Sequence, residues 1–198
     1  VVLSNNDGCV IARSEEAKVL GFKVGDPIFK CKEVIKQHKV VVRSSNFALY
    51  GDMSRRVMQA IRLFSPDVEV YSIDEAFIKL DGLQGRNYED VMRQMRAAIL
   101  QWTGITVSIG IGGTKTLAKL ANHYAKKNIE VGGVAKIPDM PDEMFKTVKV
   151  EDVWGIGRQW SKKLRNIGIN TAFDLVSMNP EDIKHSFNVI AMKTVMEL

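Results

Sequence analysis

The order of hydrophobic patterns between residues 45 and 137 is the feature that most restricts the fold. Helical stripes and short runs of β-forming residues alternate there in the order helix, strand, strand, helix, strand, helix, strand. One more strand before the first helix would complete a split βαβ arrangement, the ferredoxin-like βαββαβ sandwich. The sequence therefore predicts an α+β fold whose central domain is this sandwich with its first strand missing.

The segments on either side of this region have different patterns. Residues 1–44 contain a hairpin pattern, two short helices and one further strand, which predicts a small α+β unit. Pro138 and Pro141 mark a linker, and from Val150 onward the pattern changes to short helices around glycines. We therefore expect residues 138–198 to form a separate small helical domain.

Composition restricts the function only loosely. The 198 residues are 45% hydrophobic, enough for a buried core, and the net charge of +5 fits a polyanionic partner without requiring one. Cys9 and Cys31 lack metal-ligand spacing, so we expect free thiols in a reducing, cytoplasmic compartment. No apolar run is long enough to span a membrane. Because Val1 is not an initiator methionine and the helical pattern continues to Leu198, we expect both ends to be cut.

Two adjacent acids lie between two β-forming runs. Asp74 and Glu75 separate Val68–Ile73 from Ala76–Leu80, which predicts a tight hairpin with both carboxylates at its tip. Tight turns favour Asn or Gly at such positions, so this choice is informative. Carboxylates on rigid strands are hard oxygen ligands suited to Mg²⁺. The alternative is an exposed acidic turn without a ligand.

A basic helix is predicted after Gly113, from Thr114 to Lys127. At about 100° per residue, its apolar side chains lie on one side and a polar, mostly cationic stripe lies on the other. The stripe consists of Lys115, Lys119, Asn122 and Lys126. The N-terminal amides of this helix are also placed to face an anion. A solvated basic face without a ligand is the alternative.

A third pattern predicts a grip on phosphates. The run from Val153 to Arg158 contains Gly155 and Gly157, and Gly-x-Gly lets backbone amides approach a phosphate in a helix-hairpin-helix. From Trp154 to Asn166 there are four cations and no acid: Arg158, Lys162, Lys163 and Arg165. Such a surface would contact nucleic-acid backbone rather than base sequence. The alternative is a glycine-stopped helical turn.

These motifs together resemble the Y-family DNA polymerases. Ser72–Ala76 is similar to the acidic motif of that family, and Thr116–Ala121 followed by Ala125–Lys127 is similar to its basic helix. The run from Val153 to Arg158 fits as well. The opening stretch, Val1–Arg13, is similar to one bacterial branch of the family, and the resemblance covers essentially the whole chain.

The resemblance implies an architecture and an activity. The domains would be fingers at 1–44, a partial palm at 45–137 and a helix-hairpin-helix thumb at 138–198. The implied function is error-prone, translesion DNA synthesis in the SOS response to DNA damage. The reaction would transfer a nucleotide from a dNTP to a primer 3′ end with two Mg²⁺ ions as cofactors.

The resemblance also assigns roles to individual residues. Asp74 is implied as a metal ligand and Glu75 as the second carboxylate, beside the primer terminus. The residues assigned to the incoming nucleotide are Lys126, Lys18 and Arg13. The residues assigned to DNA are Lys119, Gly155, Gly157, Arg158 and Lys162. Glu15 stands where many relatives carry a tyrosine on the same phosphates, and an acid there would repel phosphate.

Some parts that the resemblance implies lie outside the sequence. A further aspartate, followed by an aromatic residue that excludes ribonucleotides, would precede Val1, and a second DNA-gripping domain would follow the thumb. We therefore expect the full-length protein to polymerise and these 198 residues alone to be inactive. The implied partners are primer-template DNA, dNTP, an accessory subunit, a recombinase filament and a sliding clamp, with no membrane and with a nucleoid-associated, cytoplasmic location.

Two other function classes fit part of the pattern. A noncatalytic DNA-binding or scaffold module of a DNA repair protein would use the basic helix and the glycine motif without the acids. A nucleotide cyclase can share the palm-like sandwich and a two-metal site. The predicted thumb argues against the cyclase, because that reaction has no need of a grip on duplex backbone.

Overall fold

The computed structural model describes residues 1–4, 8–81, 87–138, 142–179 and 189–198. The chain forms two compact units, Val1–Met53 and Ser54–Leu198. Their boundary falls inside helix α3, Phe47–Arg62, whereas the sequence placed a boundary between Ser44 and Ser45. The division into fingers, palm and thumb stays a prediction. Within the described ranges, no helix combines the length and apolar character needed to cross a membrane.

The first unit is built on a small mixed sheet in the order β2-β1-β3. β1 pairs antiparallel with β2 and parallel with β3, so the predicted hairpin is confirmed, while its turn at Asn5–Asp7 lies outside the described residues. Val2, Val10, Ala17 and Phe22 form its buried core, and both cysteines are free thiols. The elements are β1 Val2–Ser4, β2 Val10–Arg13, α1 Glu15–Val19, a 3₁₀ turn Ile28–Cys31, α2 Lys32–Gln37 and β3 Val42–Ser44.

The second unit contains the strands and helices of the predicted sandwich in the predicted order. Its described strands form an antiparallel pair, β4 with β5, and a parallel pair, β6 with β7. Each strand is short, and both strands of the predicted acidic hairpin are shorter than predicted: β4 ends at Val70 rather than Ile73, and β5 ends at Ile78 rather than Leu80. The strands are β4 Val68–Val70, β5 Ala76–Ile78, β6 Ile109–Ile111 and β7 Val134–Lys136.

Two long helices of this unit begin at side-chain caps. Asn87 Oδ1 accepts a hydrogen bond from Glu89 N (3.0 Å) at the start of α4, Tyr88–Thr103. Thr114 Oγ1 accepts one from Leu117 N (3.0 Å) at the start of α5, Lys115–Lys127. Each cap satisfies an amide that has no partner within the helix. The apolar stripe of α4 and the second half of α3 bury one core, which contains Val57, Ala60, Val91, Met92, Met95, Ile99, Ile111 and Val134.

The C-terminal part of the second unit is helical, as predicted. Its core includes Phe145, Val150, Leu164 and Leu175, and it also includes Leu120 of α5. The basic helix therefore shares a core with the C-terminal helices. These helices are α6 Asp142–Thr147, a 3₁₀ turn Val150–Asp152, α7 Arg158–Asn166, α8 Ala172–Val176 and α9 Val189–Met196.

Helix α5 lies unusually close to strand β6. A Cβ atom added to Gly110 would lie 2.0 Å from the backbone oxygen of Ala118 and 2.2 Å from the backbone nitrogen of Asn122. A Cβ atom on Gly112, the residue that follows the end of β6, would lie 2.7 Å from Ala118 N. At both glycines the added Cβ atom would overlap the backbone of α5. A backbone cannot rotate out of the way as a flexible side chain can, so these positions require glycine.

Gly110→Ala is expected to lower the free energy of unfolding by about 1–3 kcal/mol or more, because the added methyl group overlaps the backbone of α5. Gly113→Ala is the matched control, since a Cβ atom at Gly113 meets nothing within 4 Å, and its expected effect is within about 0.5 kcal/mol. Urea denaturation of both variants measures the difference. Equal losses at the two positions would contradict the close approach of α5 to β6.

Candidate active site

The two acids lie on a wider turn than the sequence predicted. The strands pair in the register Val68 with Ile78, Glu69 with Phe77 and Val70 with Ala76. The connection therefore runs from Tyr71 to Glu75, and the predicted two-residue turn is wrong. The backbone amides of Tyr71 and Ser72 both donate to the carbonyl oxygen of Glu75 (3.0 Å each). These bonds close the connection without the special backbone angles of a two-residue turn.

Asp74 is exposed at the tip of this hairpin. Ser72 Oγ donates a hydrogen bond to Asp74 Oδ1 (2.7 Å), and the backbone amide of Asp74 approaches Ser72 Oγ (3.4 Å). One carboxylate oxygen is therefore oriented by the turn itself. An exposed carboxylate with a fixed direction is available to a ligand from solvent.

Glu75 is held differently. Its carboxylate oxygen Oε1 forms an ion pair with Lys119 Nζ of α5. The two side chains are 30% and 20% exposed, so solvent screens this pair less than a surface pair. The basic helix and the acidic hairpin, which the sequence treated as separate motifs, are thus joined at one of the predicted ligands.

A second lysine of α5 repeats this contact one turn earlier. Lys115 Nζ lies 2.6 Å and 2.5 Å from the two carboxylate oxygens of Glu69. Lys115 also lies over the ring of Phe77 (5.2 Å to its centroid) and Lys119 over the ring of Tyr71 (5.9 Å). The start of the predicted lysine stripe therefore faces the hairpin rather than open solvent.

An aromatic cluster of Tyr71, Phe77 and Trp154 connects the hairpin to the C-terminal helices. The ring centroids are 5.8 Å apart for Tyr71 and Phe77, 5.6 Å for Tyr71 and Trp154, and 5.8 Å for Phe77 and Trp154. Edge contacts at such distances are favourable beyond the area that they bury. Trp154 directly precedes Gly155, so the acidic hairpin and the glycine motif share this cluster.

Sequence reasoning missed the aromatic cluster and both ion pairs. A signal for them was present, because Glu69 and Tyr71 are two residues apart and Lys115 and Lys119 are four apart. These are the spacings of neighbours on one face of a strand and one face of a helix. Only the folded structure shows that the hairpin residues Glu69 and Tyr71 meet the two lysines of α5.

The N-terminus of α5 holds a carboxylate of the chain itself. Thr116 Oγ1, in the first turn, donates to Glu197 Oε2 (2.6 Å), and Thr114 Oγ1 donates to the backbone oxygen of Glu197 (2.6 Å). The helix dipole favours an anion at this position. The described contact of the Glu197 carboxylate is with the Thr116 hydroxyl, and the predicted anion at the backbone amides stays a prediction.

The glycine motif places a helix N-terminus at the surface. Gly155 has φ of +89°, and a Cβ atom there would lie 2.2 Å from Thr194 Oγ1, so only glycine fits. Gly157 is the N-cap of α7 and offers no capping side chain, which leaves the first amides of α7 available to an anion.

Two of the four cations of this segment have partners. Arg165 pairs with Glu151, and Lys163 lies 4.8 Å from the centroid of the Trp160 ring. Arg158 and Lys162 are exposed and have no ion-pair partner within the part of the chain that the structure describes. Both cations are accessible to a ligand from solvent, and their predicted contact with DNA stays a prediction.

The residues predicted to bind the nucleotide lie in both units. Lys126 is exposed on the last turn of α5. In the first unit, Lys18 forms an ion pair with Glu15, so the acid that would repel phosphate instead contacts a predicted phosphate ligand. Arg13 Nε is buried and has no hydrogen-bond partner among the described residues.

The donor set fits a divalent metal ion as a partial site. Among the described residues, no three side chains of His, Cys, Asp or Glu lie close enough together to hold a metal ion. Asp74 and Glu75 thus supply at most two protein ligands there. Mg²⁺ commonly binds through one or two carboxylates and completes its shell with water and substrate phosphates.

His123 of α5 contacts the loop before α7 through Asp152, whose Oδ2 lies 3.4 Å from His123 Nε2 and 3.3 Å from Lys127 Nζ. Nε2 is buried and has no hydrogen bond to any described residue. Burial lowers the pKa of His123, Asp152 opposes this shift, and Lys127 and Lys126 add to it.

The fold matches a solved structure of a related protein. The crystal structure of DinB from Sulfolobus solfataricus superposes with a TM-score of 0.80 at 26% sequence identity, covering 98% of this chain and 57% of that chain. The α+β fold class of a Y-family DNA polymerase, which the sequence predicted, is confirmed by this match.

The chain belongs to the IMS (impB/mucB/samB) family, whose profile matches residues 1–123. It is 50% identical to protein UmuC of Salmonella typhimurium, over all of this chain and 48% of UmuC. It is 34% identical to DNA polymerase IV of Picrophilus torridus, over 91% of this chain and 51% of that protein. The chain spans about half the length of these curated relatives.

The lowered pKa of His123 predicts the direction of a pH effect. The folded state binds fewer protons than the unfolded state near the ordinary histidine pKa, so this contribution is present above that pKa and is lost as pH falls through the folded-state pKa. Acidification from pH 7.5 to 5.5 should therefore destabilise the wild type more than His123→Gln, as measured by urea denaturation.

His38, which is exposed, provides the control for this prediction. His38→Gln should leave the pH dependence of the unfolding free energy like that of the wild type. If His123→Gln and the wild type lose the same stability on acidification, His123 is not held neutral in the folded protein.

Proposed function

We propose that the protein containing this chain is a DNA-directed DNA polymerase of the error-prone, translesion kind. Its reaction is the template-directed transfer of a nucleotide from a dNTP to a primer 3′ end. The observation that carries the proposal is the acidic hairpin, where an oriented, exposed Asp74 adjoins a Glu75 that α5 holds in place. Membership of the IMS family and the likeness to DNA polymerase IV support the same reaction.

Asp74 and Glu75 are the residues that would hold Mg²⁺, two ions in the full-length enzyme. Bound Mg²⁺ supplies charge neutralisation on the phosphates and lowers the pKa of the primer hydroxyl. The chain's own contribution is placement. Ser72 orients one oxygen of Asp74, Lys119 pairs with Glu75, and the antiparallel strands β4 and β5 anchor both ends of the connection that carries the two acids.

The cations divide between the nucleotide and the DNA. In this proposal Lys126, Lys18 and Arg13 bind the triphosphate of the incoming nucleotide. The amides after Gly155 and Gly157, with Arg158 and Lys162, bind the DNA backbone at the N-terminus of α7. The predicted DNA contact of Lys119 stays a prediction, since the same ammonium group is engaged with Glu75.

The relatives also suggest a setting for this activity. By likeness to UmuC, we place the protein in the SOS response, in the cytoplasm with the nucleoid. Its partners would be primer-template DNA, dNTP, an accessory subunit, a recombinase filament and a sliding clamp. We also propose that these 198 residues do not extend a primer without the remainder of the polymerase.

A noncatalytic DNA-binding module is the second candidate. The exposed N-terminus of α7, with Arg158 and Lys162, favours it, because these groups can bind DNA whether or not the acids bind a metal ion. The two candidates differ in what they require of Asp74 and Glu75.

In the full-length protein, Asp74→Ala and Glu75→Ala should each reduce primer extension by at least about 100-fold, because each removes a carboxylate that would hold the metal ion, and the metal ion supplies the charge neutralisation on the phosphates. Affinity for primer-template DNA should change by less than about twofold, since neither acid contacts the duplex in this proposal. Single-nucleotide extension and fluorescence anisotropy measure the two quantities.

Glu130→Ala provides the control, because Glu130 is an exposed acid on the 3₁₀ turn Ile129–Val131, which follows α5 and is not part of the acidic hairpin. Its extension rate should equal that of the wild type. Unchanged extension in Asp74→Ala and Glu75→Ala, with DNA binding intact, would overturn the polymerase assignment and favour the noncatalytic module.

A further inference from the structure

We propose that the ammonium group of Lys119 pairs with the Glu75 carboxylate until a divalent metal ion binds there. Competition between the two cations then sets the affinity of the site for the metal ion. Lys119 is thus a positioning residue of the candidate site. This inference rests on the proposed function, in which Asp74 and Glu75 bind the metal ion.

The environment of Lys119 distinguishes it from a surface lysine. Its side chain is 20% exposed and that of Glu75 is 30% exposed, whereas the neighbouring pair of Lys115 and Glu69 has values of 47% and 57%. Ion pairs that are partly removed from solvent are screened less than exposed ones. The Lys119 pair is therefore the stronger of two pairs with the same chemistry.

The ammonium group of Lys119 is held on a second side by an aromatic ring. Nζ lies 5.9 Å from the centroid of Tyr71, a distance at which the negative face of the ring attracts a cation. Tyr71 is in turn fixed by edge contacts with Phe77 and Trp154. Lys119 consequently sits between a carboxylate and a supported ring.

The backbone beneath Lys119 has little freedom to withdraw. Ala118, the preceding residue, lies so close to β6 that a Cβ atom on Gly110 or Gly112 would overlap it. Any movement of the ammonium group away from Glu75 therefore comes from side-chain rotation.

Competition follows from the charges. A divalent cation that binds Glu75 needs the carboxylate oxygens that Lys119 now contacts. Either the ammonium group leaves, which costs the ion pair, or two cations share one carboxylate and repel each other. Both outcomes lower the affinity for the metal ion, so removing the charge of Lys119 should raise it.

Lys115 supplies a matched comparison in the same helix. It also pairs with a glutamate of the hairpin and lies over an aromatic ring, but its partner, Glu69, is not a predicted metal ligand. A general loss of positive charge near the hairpin would affect Lys115→Met and Lys119→Met alike. Competition at Glu75 would change the metal affinity of Lys119→Met only.

The test is Mn²⁺ titration of the full-length protein without DNA or nucleotide, with free Mn²⁺ measured by electron paramagnetic resonance. Lys119→Met should bind Mn²⁺ about threefold to tenfold more tightly than the wild type. Lys115→Met and the charge-conserving Lys119→Arg should each stay within about twofold of it. Combining Lys119→Met with Glu75→Gln should abolish the gain, and thermal unfolding midpoints verify that each variant is folded.

Two results would overturn the competition: unchanged or weaker Mn²⁺ binding by folded Lys119→Met, or an equal gain in Lys115→Met. Failure of the proposed function has a different signature. If Asp74→Ala and Glu75→Gln bind Mn²⁺ as the wild type does, the acids are not ligands. If these variants lose Mn²⁺ binding while Lys119→Met gains nothing, only the role of Lys119 is wrong.

Discussion

The close approach of α5 to β6 is the constraint on which the candidate site depends. Gly110 of β6 and Gly112, just past the end of that strand, have no side chains, so the backbone of α5 packs directly against this segment. This contact fixes the position of the helix relative to the strand. Lys115 and Lys119, on another side of α5, are thereby held against the β4–β5 hairpin, where they meet Glu69 and Glu75.

The site that results has two acids in different electrostatic situations. Asp74 is exposed and oriented by a serine, whereas Glu75 is half-buried and neutralised by an ammonium group. The aromatic cluster of the same hairpin extends through Trp154 to the glycine motif at the start of α7. Groups suited to a metal ion and groups suited to phosphate are thus carried by one continuous set of contacts.

The sequence predicted the element order, the basic helix after Gly113 and a hairpin that carries the two acids, because these follow from local patterns and side-chain chemistry. It did not predict that the turn spans Tyr71 to Glu75, since strand ends depend on pairing and not on β propensity. Nor did it predict the Lys119–Glu75 pair or the carboxylate of Glu197 at α5. Both contacts join residues that are distant in sequence, and local sequence patterns do not show which distant residues meet in the fold.

The most direct test of the account is the location of the bound metal ion, mapped by iron-mediated cleavage. Fe²⁺ replaces Mg²⁺ in the full-length protein with DNA and dNTP, and ascorbate with peroxide then generates radicals that cut the backbone beside the ion. If Asp74 and Glu75 hold the metal ion, we expect a cut next to these residues that excess Mg²⁺ suppresses and Asp74→Ala removes. Cuts confined to other segments, or a hairpin cut that survives Asp74→Ala, would contradict it.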